Sequence, residues 1–328
     1  MAGRFGGVTA VLQRIAPSAV VRRAVLAAAG DQRLASVVST APVAASVVRR
    51  FVAGDDRPAA LRAVGELTDA GLDVSLDHLG EDTTDPGSAA EAVAAYTGLL
   101  GELAATGLGP RAEVSVKLTA LGLGLPGDGP DRALAGAREI CTAARNAGTT
   151  VTVDMEDSTR TGQTLAIVRE LRADFPDAGA VVQAYLRRSE ADCAALAAEG
   201  ARVRLCKGAY DESGDVAFAS RREVDLSYVR CLGLLMAGSG RPMVATHDPR
   251  LVAIADALAV RCGRGPRDWE YQMLYGIRPD EQRRLAASGF GVRVYLPFGS
   301  QWWGYLVRRL AERPANIAFF ARALVGRA

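Results

Sequence analysis

Lysine and histidine, two residue types well suited to chemistry, are rare in this chain. Of its 39 lysines and arginines only Lys117 and Lys207 are lysine, and the two histidines are His78 and His247. A lysine in a chain that otherwise uses arginine indicates a site that needs a compact charge on a flexible side chain. Such a side chain can bind an anion or act as an amine nucleophile. Five cysteines without CxxC spacing and two histidines predict reduced thiols and no metal site.

An arginine pair near the C-terminus offers a second place for an anion. Arg308 and Arg309 are adjacent in QWWGYLVRRLAERPAN, and Tyr305 stands about one helical turn before them. An arginine fork binds a carboxylate through two hydrogen bonds, and a tyrosine ring covers the apolar body of a small ligand. We therefore expect a pocket for a small carboxylate. The alternative is a plain charged helix face, with Glu312 paired to the arginines.

Eight short apolar segments alternate with helical segments from residue 71 onward and must position these side chains. The predicted strands are Leu72–Asp77, Glu113–Leu118, Thr150–Met155, Ala180–Leu186, Arg202–Lys207, Pro242–Thr246, Trp269–Leu274 and Gly291–Leu296. A last helix is predicted at Gln301–Arg313. Eight such strand–helix units favour an α/β fold of the closed (β/α)8 TIM-barrel type, which typically needs about 250 residues, over an open sheet.

Catalysis in such a barrel takes place at the rim where the strands finish. Both lysines and both histidines fall at predicted strand ends, beside several other polar residues. These are Asp77, Asp154, Glu156, Gln183, Arg204, Gln272 and Tyr295. The lysines could instead form buried ion pairs with Asp154 or Glu156 that only close the barrel mouth, and His247 could be a core histidine.

The first 70 residues show no strand pattern and are predicted to form a helical arm, with the barrel spanning residues 71–328. Seven arginines and one acid, Asp31, lie in the first 50 residues, and the arginines interrupt every apolar run, so no signal peptide is expected. The arm either packs on the barrel or touches anionic lipid. A net charge of +2 and an aromatic content of 6% argue against nucleic-acid binding.

Seven motifs occur in order along the chain and together resemble the proline dehydrogenases, specifically the short monofunctional bacterial type. They are Ser115–Gly122 (SVKLTALG), Val153–Asp157 (VDMED), Val181–Tyr185 (VVQAY), Arg204–Tyr210 (RLCKGAY), Ala245–His247 (ATH), Arg293–Pro297 (RVYLP) and Tyr305–Asn316 (YLVRRLAERPAN). The resemblance implies a distorted (β/α)8 barrel with the last helix over the mouth. It also implies FAD-dependent oxidation of L-proline to Δ1-pyrroline-5-carboxylate, the first step of proline catabolism.

Partners and location follow from the same resemblance. Electrons are expected to pass to a membrane quinone, and the product to a separate pyrroline-5-carboxylate dehydrogenase. The protein is then expected to be cytoplasmic, with a peripheral contact to the inner face of the membrane through the N-terminal arm.

The resemblance also implies roles for individual residues. Lys117, Arg308 and Arg309 are similar to the cations that bind the proline carboxylate, and Tyr295 and Tyr305 to pocket walls. Two residues are implied at the reacting centre, an active-site acid and a cation near the flavin N5 edge: Asp154 and Arg204. The implied flavin contacts are Met155, Gln183, Lys207, Gly208, Ala209, Thr246 and His247.

Two other functions are compatible with the residues. Lys117 could form a Schiff base in a class I aldolase built on a barrel, although the arginine pair and Gln183 would then have no purpose. A barrel that binds a flavin or an amino acid without turnover is the second alternative, and the full set of charged residues at the mouth argues against it.

Overall fold

The computed structural model describes residues 48–312, with side chains described up to residue 307. Eight strands alternate with helices in this part of the chain, as the sequence predicts. The strands are β1 (Asp73–His78), β2 (Ala112–Val116), β3 (Val151–Val153), β4 (Ala180–Gln183), β5 (Val203–Cys206), β6 (Pro242–Ala245), β7 (Glu270–Leu274) and β8 (Gly291–Phe298). Each overlaps its predicted counterpart, and the bounds differ by a few residues.

The eight strands form one parallel sheet in the order β3-β2-β1-β8-β7-β6-β5-β4. Its two outer strands meet through the residue before β4. The Val153 amide donates to the Gly179 carbonyl at 2.9 Å, and the Gly179 amide donates to the Val151 carbonyl at 2.8 Å. The sheet is therefore a nearly closed barrel, which confirms the predicted fold.

Polar and apolar residues alternate along the strands because the two faces of the barrel wall differ. On β1, Val74 and Leu76 are buried in the main apolar core, whereas Ser75 and Asp77 lie on the opposite face and point into the barrel. Interiors of such barrels are usually filled by branched apolar side chains. Because buried polar groups are stable only when paired, this interior depends on hydrogen bonds and ion pairs.

A charged cluster seals the barrel interior near the start of the strands. Arg293 Nε lies 2.8 Å from the Glu270 carboxylate, and Arg202 Nη2 lies 2.7 Å from the Glu113 carboxylate. Burial alone would raise the pKa of Glu270, but Arg293, Arg202 and the hydrogen bond from Gln272 together outweigh burial and hold that pKa below its usual value. Gln272 connects this cluster to Arg204, which lies nearer the barrel mouth. Its side-chain amide donates to Glu270 at 2.7 Å, and its side-chain oxygen accepts from Arg204.

Most of the helices form the outer layer of the barrel. They are α1 (Arg57–Asp69), α2 (Pro86–Ala105), α3 (Gly129–Asn146), α4 (Thr161–Asp174), α5 (Ser189–Ala198), α6 (Arg221–Ala237), α7 (Pro249–Arg261), α8 (Pro279–Ala287) and α9 (Trp302–Glu312). Asp248 caps α7 through its side chain, and Ser220 and Glu223 form a capping box on α6. Between residues 48 and 312, none of the helices is long and apolar enough to cross a membrane.

The last helix lies at the rim where the strands finish. α9 packs through Trp302 and Leu306 against Phe51 and against Leu79, which directly follows β1. This agrees with the expected position of the last helix over the barrel mouth.

The predicted N-terminal arm falls largely on residues 1–47, which lie outside the described residues, as do residues 313–328. Its last part, α1, contacts β1 and β8, and its residues Ala60 and Val64 belong to the main apolar core. The domain boundary at residue 70 stays a prediction.

Candidate active site

Five side chains, each on or directly after a different strand, meet inside the barrel near its mouth. They are Asp77 on β1, Lys117 after β2, Asp154 after β3, Arg204 on β5 and Tyr295 on β8. We call this group the mouth cluster. Parallel strands bring their ends to one rim, so residues as far as 141 positions apart in sequence make direct contact.

Lys117 is one of the two cations of the mouth cluster. Its Nζ lies 2.8 and 2.9 Å from the two carboxylate oxygens of Asp77 and 3.9 Å from Asp154 Oδ2. Burial alone would lower the pKa of Lys117, but the two carboxylates outweigh it and hold the pKa above its usual value. Lys117 is therefore a buried ammonium ion, and its main partner is Asp77 rather than Asp154 or Glu156.

Arg204, the second cation, is held by several hydrogen bonds. Its Nε donates to the side-chain oxygen of Gln272. Its Nη1 donates to Ser115 Oγ at 2.8 Å and its Nη2 to Ser75 Oγ at 3.0 Å. Nη1 also forms an ion pair with Asp154. A guanidinium bound from this many directions presents its charge at one fixed position.

Asp154 accepts hydrogen bonds on both carboxylate oxygens. Oδ1 accepts from the Ser115 hydroxyl at 2.8 Å and from Arg204, and Oδ2 accepts from the Tyr295 hydroxyl at 2.6 Å. Burial and the charge of Asp154 raise the pKa of Tyr295, so the phenol keeps its proton and remains the donor. The Tyr295 ring centre also lies 5.1 Å from the Arg204 guanidinium. Asp154 thus fixes the arginine and the tyrosine together.

Two predicted cofactor contacts lie at the ends of β3 and β4. Met155 is buried, and the side-chain amide of Gln183 donates to the backbone carbonyl of Glu156 at 2.7 Å. The side-chain carboxylate of Glu156 in turn accepts hydrogen bonds from the backbone amide and the hydroxyl of Thr119. Burial raises the pKa of the Glu156 carboxyl. These contacts hold the ends of β2, β3 and β4 at fixed positions along the rim.

Three further predicted cofactor contacts follow β5 and are half-buried at the rim: Lys207, Gly208 and Ala209. The ammonium of Lys207 pairs with Asp225 on α6 and lies 3.5 Å from Asp248. Gly208 has a φ of +106°, and a Cβ at this position would lie 2.1 Å from the ring of Tyr185. The chain itself therefore requires glycine at position 208, because the backbone passes directly over that ring.

The last two predicted cofactor contacts, Thr246 and His247, follow β6. The Thr246 hydroxyl accepts from the Asp248 amide at 3.1 Å, and His247 Nε2 accepts from the Leu274 amide at 2.9 Å. This bond holds the imidazole beside the end of β7.

The predicted carboxylate site on α9 is only partly described. Tyr305 is buried and belongs to the apolar cluster that joins α9 to Phe51. Arg308 and Arg309 lie within the backbone of α9, but their side chains lie outside the described residues. Their contact with a substrate carboxylate stays a prediction.

Three residues of this network were assigned no role from the sequence. Asp77 binds Lys117, while Ser115 and Gln272 bind Arg204. The sequence signal for them is a period of two in the polar residues, as in DVSLDH and EYQML. Residues two apart on a strand share a face, so polar residues at that spacing point together into the barrel.

The chain is similar to known proteins along most of its length. A family model described as proline dehydrogenase matches residues 60–322. Proline dehydrogenase 1 of Bacillus subtilis is 38% identical over 277 residues, covering 84% of this chain and 90% of that protein. A proline dehydrogenase of Deinococcus radiodurans is 38% identical over 282 residues, covering 85% and 90%.

A solved structure with a similar fold is proline utilization A (PutA) from Bdellovibrio bacteriovorus inactivated by N-propargylglycine. It superimposes with a TM-score of 0.76 and 25% sequence identity over 87% of this chain. The chain spans only 34% of the length of that protein. A second similar structure, described as a bifunctional PutA protein, gives a TM-score of 0.64 with 27% identity and 30% of its length covered.

Proposed function

The chain belongs to the proline dehydrogenase family and oxidises proline, and from that premise we propose that it converts L-proline to Δ1-pyrroline-5-carboxylate with FAD as its cofactor. In this reaction a hydride leaves C5 of the ring, the nitrogen lone pair forms a C=N bond, and the N–H proton is released. The observation that carries the proposal is the mouth cluster, in which a buried ammonium and a buried guanidinium lie beside a tyrosine ring.

Family membership implies a flavin, and the residues along the ends of β3 to β6 fit one by their chemistry. Arg204 is a buried cation, and a cation near the N1/N5 edge stabilises the negative charge of a reduced flavin. Thr246 and His247 offer polar groups after β6, while Met155 and Ala209 offer apolar surface. The bound flavin would supply the two-electron acceptor for the hydride. The choice of FAD among flavins rests on the family resemblance.

Lys117 supplies the charge that binds the substrate carboxylate in this proposal. Its side chain is only 9% exposed, and a charge attraction is strong where water is largely excluded. Arg308 and Arg309 on α9 complete the carboxylate site. Tyr295, fixed through Asp154, offers its ring as a rigid wall for the pyrrolidine. Anchoring at the carboxylate and the ring together determines where C5 points, and such positioning governs the rate.

The same geometry argues against the Schiff-base alternative. A lysine nucleophile must lose its proton to attack a carbonyl group, and enzymes arrange this by lowering its pKa. The carboxylates of Asp77 and Asp154 have the opposite effect on Lys117, since they stabilise the ammonium form. An ammonium held in this way binds carboxylates and is a poor nucleophile.

The test is an absorption spectrum of the purified protein, recorded without oxygen before and after addition of L-proline. We expect a flavin band that bleaches with L-proline and is unchanged by D-proline at the same concentration, because the carboxylate anchor fixes the orientation of the ring. Chromatography of the cofactor released by acid then distinguishes FAD from FMN. A protein that binds no flavin after reconstitution would refute the proposal.

The electron acceptor, downstream enzyme and location are further parts of the proposal. We propose that a membrane quinone reoxidises the cofactor and that a separate dehydrogenase consumes the product. The match to one part of PutA, a protein described as bifunctional, supports a link to a second enzyme. The seven arginines of the first 50 residues support a peripheral membrane contact of a cytoplasmic protein. If full-length protein and a variant lacking residues 1–47 bind anionic liposomes equally, the membrane contact through the arm is wrong.

A further inference from the structure

The Lys117–Asp77 ion pair is among the most enclosed in the mouth cluster. The Asp77 side chain is 2% exposed and that of Lys117 is 9% exposed. Both carboxylate oxygens of Asp77 contact the same nitrogen, at 2.8 and 2.9 Å. An ammonium has three N–H donors, so two contacts to Asp77 leave one for a ligand.

We propose that Asp77 is a positioning residue for substrate binding, which keeps the buried ammonium of Lys117 charged and oriented to receive a carboxylate at the barrel mouth. This inference rests on the proposed function, since it takes the carboxylate of L-proline as the ligand of Lys117. Asp77 itself touches the lysine and not the substrate, so it acts only through Lys117.

The charged groups around Lys117 indicate why Asp77 is needed. The lysine is faced by Asp77 and His78 on β1, by Glu81 after it, and by Asp154 and Glu156 after β3. Asp154 is a weak substitute, because its oxygens already accept from Ser115, Arg204 and Tyr295, and it lies 3.9 Å from the lysine nitrogen. Asp77 is the only one of these acids that an ion-pair contact below 3 Å joins to Lys117 in the described residues.

Removing the charge of Asp77 should change the protonation of Lys117. Burial is the largest influence on this lysine and acts to lower its pKa. Buried lysines without a partner can reach pKa values of about 5–6. In Asp77→Asn only Asp154, at 3.9 Å, and Glu81 remain among the acids that raise this pKa, so the pKa should fall toward the ordinary assay range. Carboxylate binding should then weaken as pH rises through the lowered pKa, because only the protonated lysine attracts an anion.

The experiment measures affinity rather than turnover. The probe is tetrahydrofuran-2-carboxylate, which resembles proline but has oxygen in place of the ring nitrogen, so it neither titrates near neutrality nor loses a hydride to form an imine. Its dissociation constant is measured by calorimetry on the flavin-loaded full chain from about pH 6 to about pH 10. We expect little change for the native protein. For Asp77→Asn we expect Kd to rise about tenfold per pH unit above the pKa of Lys117.

Three further variants make the result specific. Asp73→Asn removes a carboxylate from the same strand that pairs with Arg111 and Arg293 instead, so its pH profile should match the native protein. The double variant Asp77→Asn with Lys117→Met should bind weakly at every pH and show no alkaline loss. Asp77→Glu keeps the charge but moves it by one methylene, so we expect a flat profile with several-fold weaker binding.

Each outcome decides the inference. A flat profile for Asp77→Asn overturns it at any affinity, as does an alkaline loss that persists without Lys117. If Asp77→Asn does not fold, Asp77→Glu carries the test, and native affinity in that variant overturns the positioning role. Failure of the native protein to bind the probe and to be reduced by L-proline would instead refute the proposed function.

Discussion

Replacing Gln272 by leucine tests how far the buried network holds Arg204 in place. Gln272 makes two hydrogen bonds to charged groups, one from Arg204 Nε to its side-chain oxygen and one from its amide to Glu270 at 2.7 Å. A hydrogen bond to a charged group contributes about 1.5–3 kcal/mol to stability, so the loss of both should cost at least about 3 kcal/mol. Leucine fills a similar volume and cannot replace either bond.

The assay is urea unfolding followed by circular dichroism, with thermal unfolding as a second readout. Because the unfolding entropy is about 2.1 cal/mol/K per residue, a loss of about 3 kcal/mol corresponds to a fall in Tm of about 4 °C for a chain of 328 residues. The matched control is Gln163→Leu on the exposed face of α4, which should change stability by less than about 0.5 kcal/mol. A loss below about 1 kcal/mol for Gln272→Leu would refute the reasoning, since Arg204 would then be held without this residue.

Three other changes have defined outcomes. Tyr295→Phe removes the 2.6 Å hydrogen bond to the Asp154 carboxylate and should destabilise the protein by about 1.5–3 kcal/mol in urea unfolding. An unchanged free energy of unfolding would mean that this hydrogen bond does not contribute to stability. Gly208→Ala places a Cβ 2.1 Å from the Tyr185 ring at a φ of +106° and should lower the flavin-to-protein absorbance ratio of the purified protein, whereas a native ratio would contradict the required close approach. Ser220→Ala removes the cap of α6 and should cost about 1 kcal/mol, read as a fall in Tm with turnover unchanged.

Much of the fold was predictable because it depends on local patterns. The apolar strand segments and the helices between them are set by periodicity and by caps such as Asp248, and these act over a few residues. Eight strand–helix units in sequence favour a closed barrel, and the rim where the strands finish is then the catalytic end. Lys117, Asp154, Arg204 and Tyr295 could therefore be placed together before any contact was known.

The pairing partners could not be predicted, because they depend on strand register. β1 and β2 are aligned with Asp77 beside Ser115, and β2 and β3 with Val116 beside Val153. This register brings both Asp77 and Asp154 within reach of the side chain of Lys117. Nothing in the local sequence indicates which acid it contacts, because register in a barrel is fixed by closure of the whole sheet.

The sequence by itself determined the elements, the family and the set of residues at the barrel mouth. Only the tertiary structure decided that Lys117 pairs mainly with Asp77, that Lys207 pairs with Asp225, and that Asp154 is shared by three donors. The reason is physical: local sequence fixes which way a side chain points, whereas its partner is the group that the packed barrel brings within hydrogen-bond distance.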